Sequence, residues 1–162
     1  MTNKQPLPAS FRDPAGFLYK DGSEIYRQIN PRGYEDYFAA INSGLYDELI
    51  AREWLIPHTE TTHYHQDSSP DKIIIKPERI PFISYPYEWC FSQLKDAARL
   101  TLQVQKYALE KGLSLKDCSA YNIQFYRGRP ILIDTLSFER YRESEPWAAY
   151  RQFCQHFLAP LA

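Results

Sequence analysis

The sequence predicts an α+β fold. Two observations carry that prediction. Strand–turn–strand patterns stand near both ends of the chain, at Gly16 to Ile29 and at Ile123 to Asp134. Between them, Phe91, Leu94, Ala98 and Leu102 start a long amphipathic stretch that Val104, Ala108 and Leu109 extend. A chain of 162 residues is long enough to bury a core and too short for two full domains.

The elements follow in order. Residues 1–13 are polar and proline-containing and read as a disordered arm. Phe17-Leu18-Tyr19 is a strand, Asp21-Gly22 a turn signal, and Ile25 to Ile29 the return strand. Asn30-Pro31-Arg32-Gly33 breaks the pattern. Tyr34, Tyr37, Phe38, Ile41 and Leu45 then recur at helical spacing, and Leu45, Leu49 and Ile50 continue a second short helix past Gly44. Leu55-Ile56-Pro57 and Ile73-Ile74-Ile75 are predicted strands around a polar loop at Gln66 to Pro70. Phe82-Ile83-Ser84 is a further short strand leading into the aromatic run Tyr85-Pro86-Tyr87-Glu88-Trp89. Gly112 ends the long helix. Ile123 to Tyr126 and Ile131 to Asp134 pair across Arg127-Gly128-Arg129-Pro130. A last helix starts at Ser144 with Pro146 in its first turn, and Trp147, Tyr150, Phe153 and Phe157 share a face. The apolar end, His156 to Ala162, reads as the start of a surface that continues further along a longer protein.

Composition excludes several functions. The formal charge of -1 argues against a nucleic-acid binder that works by bulk phosphate neutralisation. No stretch approaches the length of a membrane span, and residues 1–13 lack the apolar run of a signal peptide. The six glycines are scattered, with no Walker A, GxGxxG or GxG pattern, so no glycine-rich loop cradles a phosphate. Cys90, Cys118 and Cys154 are odd in number and form no CxxC, which fits free thiols in a reducing cytoplasm better than disulfides or zinc.

The residues that carry chemistry lie between Leu115 and Asp134. A four-residue turn at Arg127 to Pro130 would set Ile123 opposite Asp134, with Asn122 beside it at the open end of the hairpin. Asp117 lies on the loop leading into that end. Two carboxylates and an amide oxygen then converge, a hard-oxygen set suited to Mg²⁺ and phosphate. The alternative is that Asp117 and Asp134 cap turns while Asn122 satisfies loop backbone.

An Asp, an Asn five residues on, and a strand pair ending in another Asp resemble the catalytic loop of the protein-kinase-like fold, nearest to its aminoglycoside-phosphotransferase branch. The resemblance implies a two-lobed module, incomplete at its C-terminus. Residues 14–84 would be an N-lobe-like sheet with helices, and 85–162 a partial C-lobe-like region carrying the catalytic-loop hairpin. It implies Asp117 as base or substrate-orienting residue and Asn122 and Asp134 as metal ligands, with Mg²⁺ and ATP as cofactors. Tyr85 and Tyr87 fall in a hinge whose backbone would meet an adenine. The phosphate-holding cation is Arg27 or, less well placed, Lys76, with Glu35 or Glu48 as its partner. Leu115 and Ser119 stand where kinases carry His and Lys.

A second resemblance covers nearly the whole chain. Pro77 to Trp89, Phe91 to Asp96, Leu132 to Glu139 and Tyr150 to His156 look like the N-terminal region of a group of bacterial class I SAM-dependent methyltransferases. It implies that SAM binds only in a downstream methyltransferase domain. This region would then be a ligand-binding or regulatory module, partnered by that domain or by a small molecule. A small Mg-ATP phosphotransferase and a pseudokinase-like interaction domain are the alternatives.

Other signals read as ordinary surface or core. His58, Glu60, His63 and His65 suit solvated side chains better than a metal site. Cys118 reads as a buried thiol rather than a nucleophile. Tyr85 to Trp89 either stacks a ligand ring or fills a seam between lobes.

Overall fold

A computed structural model describes residues 5–7, 14–61 and 72–162. His63, His65 and the Gln66–Pro70 loop lie outside the described residues, as does most of the N-terminal arm. The fold is α+β, as expected. The chain forms two compact units, each discontinuous in sequence: Met1–Glu35 with Pro57–Arg79, and Asp36–Ile56 with Ile80–Ala162. The reading along the chain had placed its boundary at 84/85.

The first unit is a five-stranded antiparallel sheet of β1 (Gln5–Pro6), β2 (Gly16–Asp21), β3 (Glu24–Ile29), β4 (His58–Thr61) and β5 (Ile73–Pro77), in the order β1-β2-β3-β5-β4. Asp21 pairs with Glu24, so the first hairpin closes through Gly22-Ser23, with Gly22 at φ 61°. Tyr19, Tyr26 and Ile74 form a buried cluster on which Phe17 packs, and the two tyrosine rings stack at 5.5 Å. The Leu55–Pro57 strand expected from sequence begins instead at His58.

Helix α1 (Pro31–Asn42) starts where a break was expected. Proline suits a first helical position, because the N–H it lacks would have no intrahelical partner there. Gly33 sits in that first turn for a different reason. A Cβ at this position would lie 2.8 Å from the carbonyl oxygen of Ala15, so only glycine fits.

The second unit contains the latter part of α1, α2 (Leu45–Ala51), α3 (Phe91–Glu110), β6 (Leu113–Leu115), β7 (Ile123–Tyr126), β8 (Arg129–Leu132) and β9 (Phe138–Arg140). It ends in α4 (Tyr150–Phe153), which runs through a π turn (Cys154–Leu158) into α5 (Ala159–Leu161). Helix α3 buries Ala97, Leu100, Thr101, Val104, Gln105 and Ala108 on one face, and Gly112 follows its end at φ 73°. Strand β6 pairs with β9, and β7 with β8, both antiparallel.

Three expectations are corrected in this unit. The second hairpin turns through two residues, not four: Tyr126 pairs with Arg129 and Ile123 with Leu132. Arg127 and Gly128 both take positive φ, 51° and 77°, which a tight twist-matched turn requires and an arginine does not advertise. Residues 82–84 form no strand. The last helix begins at Tyr150 rather than Ser144, which is itself left-handed at φ 69°. Trp147 stays outside the helix and donates from Nε1 to the carbonyl of Leu115 (2.7 Å). Phe153 and Phe157 are buried as expected, while Tyr150 is exposed.

Candidate functional site

Two loop segments of the second unit carry the residues singled out by spacing. Residues 116–122 follow β6 and hold Asp117 and Asn122. Residues 133–137 follow β8 and hold Asp134. The β6–β9 pairing sets Leu115 opposite Phe138, and the Lys116 N–H extends it to the carbonyl of Ser137 (2.8 Å). At the other end, the Ile133 N–H donates to the carbonyl of Asn122 (2.8 Å). Between these ties, Asn122 Nδ2 lies 3.4 Å from Ser137 Oγ.

The two-residue correction to the hairpin register moves Asn122 beside Ile133 rather than Asp134. Since the slip is two and not one, every side chain keeps its face. Asp134 remains one residue from the tie.

Each carboxylate is also held locally. Asp117 Oδ1 accepts from the Ser119 N–H (3.0 Å), and Asp134 Oδ1 from the Leu136 N–H (2.9 Å). These are Asx turns, as the turn-capping reading expected of the two carboxylates. Among the described residues no cation pairs with Asp117, and none donates to Asn122 Oδ1. Both side chains are half-buried. They present oxygen acceptors suited to a hard cation or a hydroxyl. No cluster of three or more His, Cys, Asp and Glu occurs among the described residues.

Neighbouring elements fix the loop from behind. Gln105 of α3 accepts the Leu115 N–H (2.7 Å) and donates to Ser114 Oγ (3.1 Å). Lys116 pairs with Asp36 at 2.7 Å. The Cys118 N–H donates to Gln152 Oε1 (2.7 Å), its thiol to the Ala149 carbonyl (3.1 Å), and the Ala120 N–H to His156 Nδ1 (3.1 Å). Burial pushes the Cys118 thiol up to about 12, with Asp117 adding to the shift. Such a thiol is not a nucleophile at neutral pH, as the sequence reading expected.

The linker is the second part of the site. Gln124, buried on β7, donates to the Ser84 carbonyl (3.0 Å) and accepts from the Ser84 N–H (3.0 Å). Tyr85 N–H donates to Glu88 (2.7 Å), and the Tyr85 carbonyl accepts from the Glu88 N–H (2.8 Å). The backbone edge expected to meet an adenine is therefore already paired at Ser84 and Tyr85. What the linker presents is rings: Tyr85 and Tyr87 stack at 5.5 Å, nearly parallel, and Tyr87 is 75% exposed. Desolvation, and then the negative charge of Glu88 and the hydroxyls of Tyr85 and Tyr121, raises the Tyr87 hydroxyl above its ordinary value. Trp89 is turned inward, bonding Ser84 Oγ (2.9 Å) and meeting Phe125 edge-on.

The remaining candidates stand on other elements of the chain. Arg27 is buried in the sheet unit on β3, paired in register with Leu18 and Ile75. Lys76 forms an ion pair with Glu24 at 2.8 Å, and Glu48 one with Lys111 at 2.6 Å. Sequence reasoning missed Gln105, Gln124, Gln152 and His156. The one signal for the last two was their spacing of four on a helix.

No protein-family model matches the chain. It is similar to nodulation protein NoeA of Rhizobium meliloti (strain 1021), with 34% identity over 158 residues. That match takes in 96% of this chain and 33% of the relative, so the chain spans about a third of the length of the curated protein it matches. No described helix is long and apolar enough to cross a membrane.

Proposed function

We propose that the chain is a protein-kinase-like module that binds a magnesium nucleotide, or a related phosphorylated small molecule, without turning it over. It would serve as the N-terminal ligand-binding or regulatory part of a longer protein of the SAM-dependent methyltransferase family, with SAM held only downstream. The observation that carries the reading is the pair of loops, 116–122 and 133–137, tied at both ends with Asp117, Asn122 and Asp134 upon them. Mg²⁺ would draw hard oxygens from Asn122 and Asp134 and neutralise phosphate charge, while Asp117 would orient the distal group.

The order of elements supports the same reading. Helices α1 and α2 are inserted between the third and fourth strands of a five-stranded antiparallel sheet. A linker, a long helix, a short strand, the loop, a hairpin and a strand returning to β6 follow. Arg27 is a buried cation on the third strand, where kinases carry their phosphate-holding lysine. Of the two acids considered for pairing with it, Glu48 is engaged by Lys111. The departures favour binding over turnover in this reading: no glycine-rich cradle, Leu115 for the usual His, and Ser119 for the usual Lys. That the relative matches over only a third of its length supports a part within a longer protein.

Calorimetric titration with ATP, with and without Mg²⁺, tests the reading. Binding should require Mg²⁺ and should vanish in Asp134→Asn, which keeps the acceptor for Leu136 but loses the charge. A folded chain that gives no heat, or binding indifferent to Mg²⁺ and to the variant, overturns it and favours the interaction domain. Phosphate transfer abolished by Asp117→Asn would move the assignment to a phosphotransferase.

A further inference from the structure

The loop that carries Asp117 and Asn122 closes its own turn at Ser119, Tyr121 and Asn122 but leaves two N–H groups to partners outside it. Its N–H groups at Cys118 and Ala120 point away from the loop, toward the terminal helix. Two residues of that segment receive them, Gln152 Oε1 the Cys118 N–H (2.7 Å) and His156 Nδ1 the Ala120 N–H (3.1 Å), and the Ala149 carbonyl takes the Cys118 thiol (3.1 Å). The spacing of four places the Gln152 and His156 side chains on one helix face, and Ala149 is the residue capping that helix. Ser119 Oγ also lies 3.3 Å from His156 Nδ1, and the Tyr121 ring meets the imidazole edge-on. His156 sits inside the π turn Cys154–Leu158, a widened turn of the kind found at functional sites.

The chemistry of the His156 bond is one-sided. A backbone N–H can only donate, so Nδ1 must present its lone pair and the ring must carry its proton on Nε2. We infer that His156, through Nδ1, is a positioning residue that sets the loop bearing Asp117 and Asn122 for the magnesium-bound ligand, with Gln152 as its companion one turn earlier. This inference rests on the proposed ligand site, but the bond itself can be read without any ligand.

The test uses His156→Asn, His156→Gln and His156→Ala in the full chain. Asparagine places an acceptor at the same reach as Nδ1, and glutamine places it one bond farther, at the reach of Nε2. Hydrogen exchange of the Ala120 amide should stay slow in the wild type and the Asn variant. In Gln and Ala it should quicken by at least about tenfold. Affinity for Mg-ATP should fall about tenfold in Gln and Ala and recover to within about twofold in Asn. An Asn variant that behaves like Ala, or an Ala variant that matches wild type in both measurements, overturns the inference. If Ala does not fold, the Gln–Asn pair still decides. Protected Ala120 with no nucleotide heat in the wild type would overturn the ligand reading while the clamp stands, so the two failures are distinguishable.

Discussion

The loop at 116–122 and the linker at 84–89 solve the same problem in opposite ways. Both are irregular stretches rich in backbone polar groups that require partners. In the loop, the Cys118 and Ala120 N–H groups are drawn onto Gln152 and His156, and the half-buried Asp117 and Asn122 carry its acceptor oxygens. In the linker, Gln124 and Glu88 satisfy Ser84 and Tyr85, and the forward face is aromatic. The partner that absorbs the backbone decides what the segment can offer a ligand: oxygen acceptors in one case, stacking rings in the other.

The largest effect should come from removing the linker's partner. Gln124→Ala strands the N–H and the carbonyl of the half-buried Ser84 together, and an orphan shut away from water costs roughly 1–3 kcal/mol. We expect a loss of about 2–4 kcal/mol, read as a lower urea midpoint with an unchanged slope. A loss below about 0.5 kcal/mol would mean that the linker relaxes into water, and the contrast between the two segments would fail.

Solvent access should separate the same regions. Cys90 closes the linker and is exposed, whereas Cys118 is buried in the loop. A charged disulfide reagent at pH 8 should modify Cys90 in the native chain and reach Cys118 only on unfolding. The Cys118 thiol is raised to about 12, so the folded state keeps a proton that the unfolded state releases near 9. Its contribution to stability is therefore complete below pH 9 and is lost as pH rises toward 12, at up to about 1.4 kcal/mol per unit. The Tyr19 hydroxyl, also raised to about 12 by burial, acts in the same direction. Cys118→Ala should flatten the alkaline limb of urea midpoint against pH. An unchanged limb would show that the thiol is not dry.

These contrasts also explain what sequence could and could not reveal. Asp117, Asn122 and Asp134 were legible because their spacing is local and the elements between them are short. So was Gly112 as a helix end, while the Asp21-Gly22 signal marked the first turn one residue early, since it closes through Gly22-Ser23. The second hairpin was misread because Arg127 adopts a left-handed conformation that glycine or asparagine would have signalled. The start of α1 was missed because Pro31 marks a break and a first helical position equally well. The glutamines and His156 were invisible for a different reason. Gln124 meets Ser84 across 40 residues, and His156 meets Ala120 across 36. A lone glutamine or histidine carries no pattern that states its partner.

The smallest effect on stability should be the most informative about binding. Tyr87 is 75% exposed, and its ring lies against Tyr85 rather than in the core. Tyr87→Ala should therefore leave the urea midpoint unchanged within error, unlike Gln124→Ala in the same linker. If the rings are what the linker offers, affinity for a ligand with a planar base should still fall about tenfold, the range seen when a stacking aromatic is removed. Inorganic triphosphate with Mg²⁺, which has no ring, should bind the variant and the wild type alike. A variant that loses both ligands equally would place the effect in the loop rather than the linker. One that loses neither would leave Tyr85 and Tyr87 as surface, and the acceptors of residues 116–122 and 133–137 would then be the whole of the site.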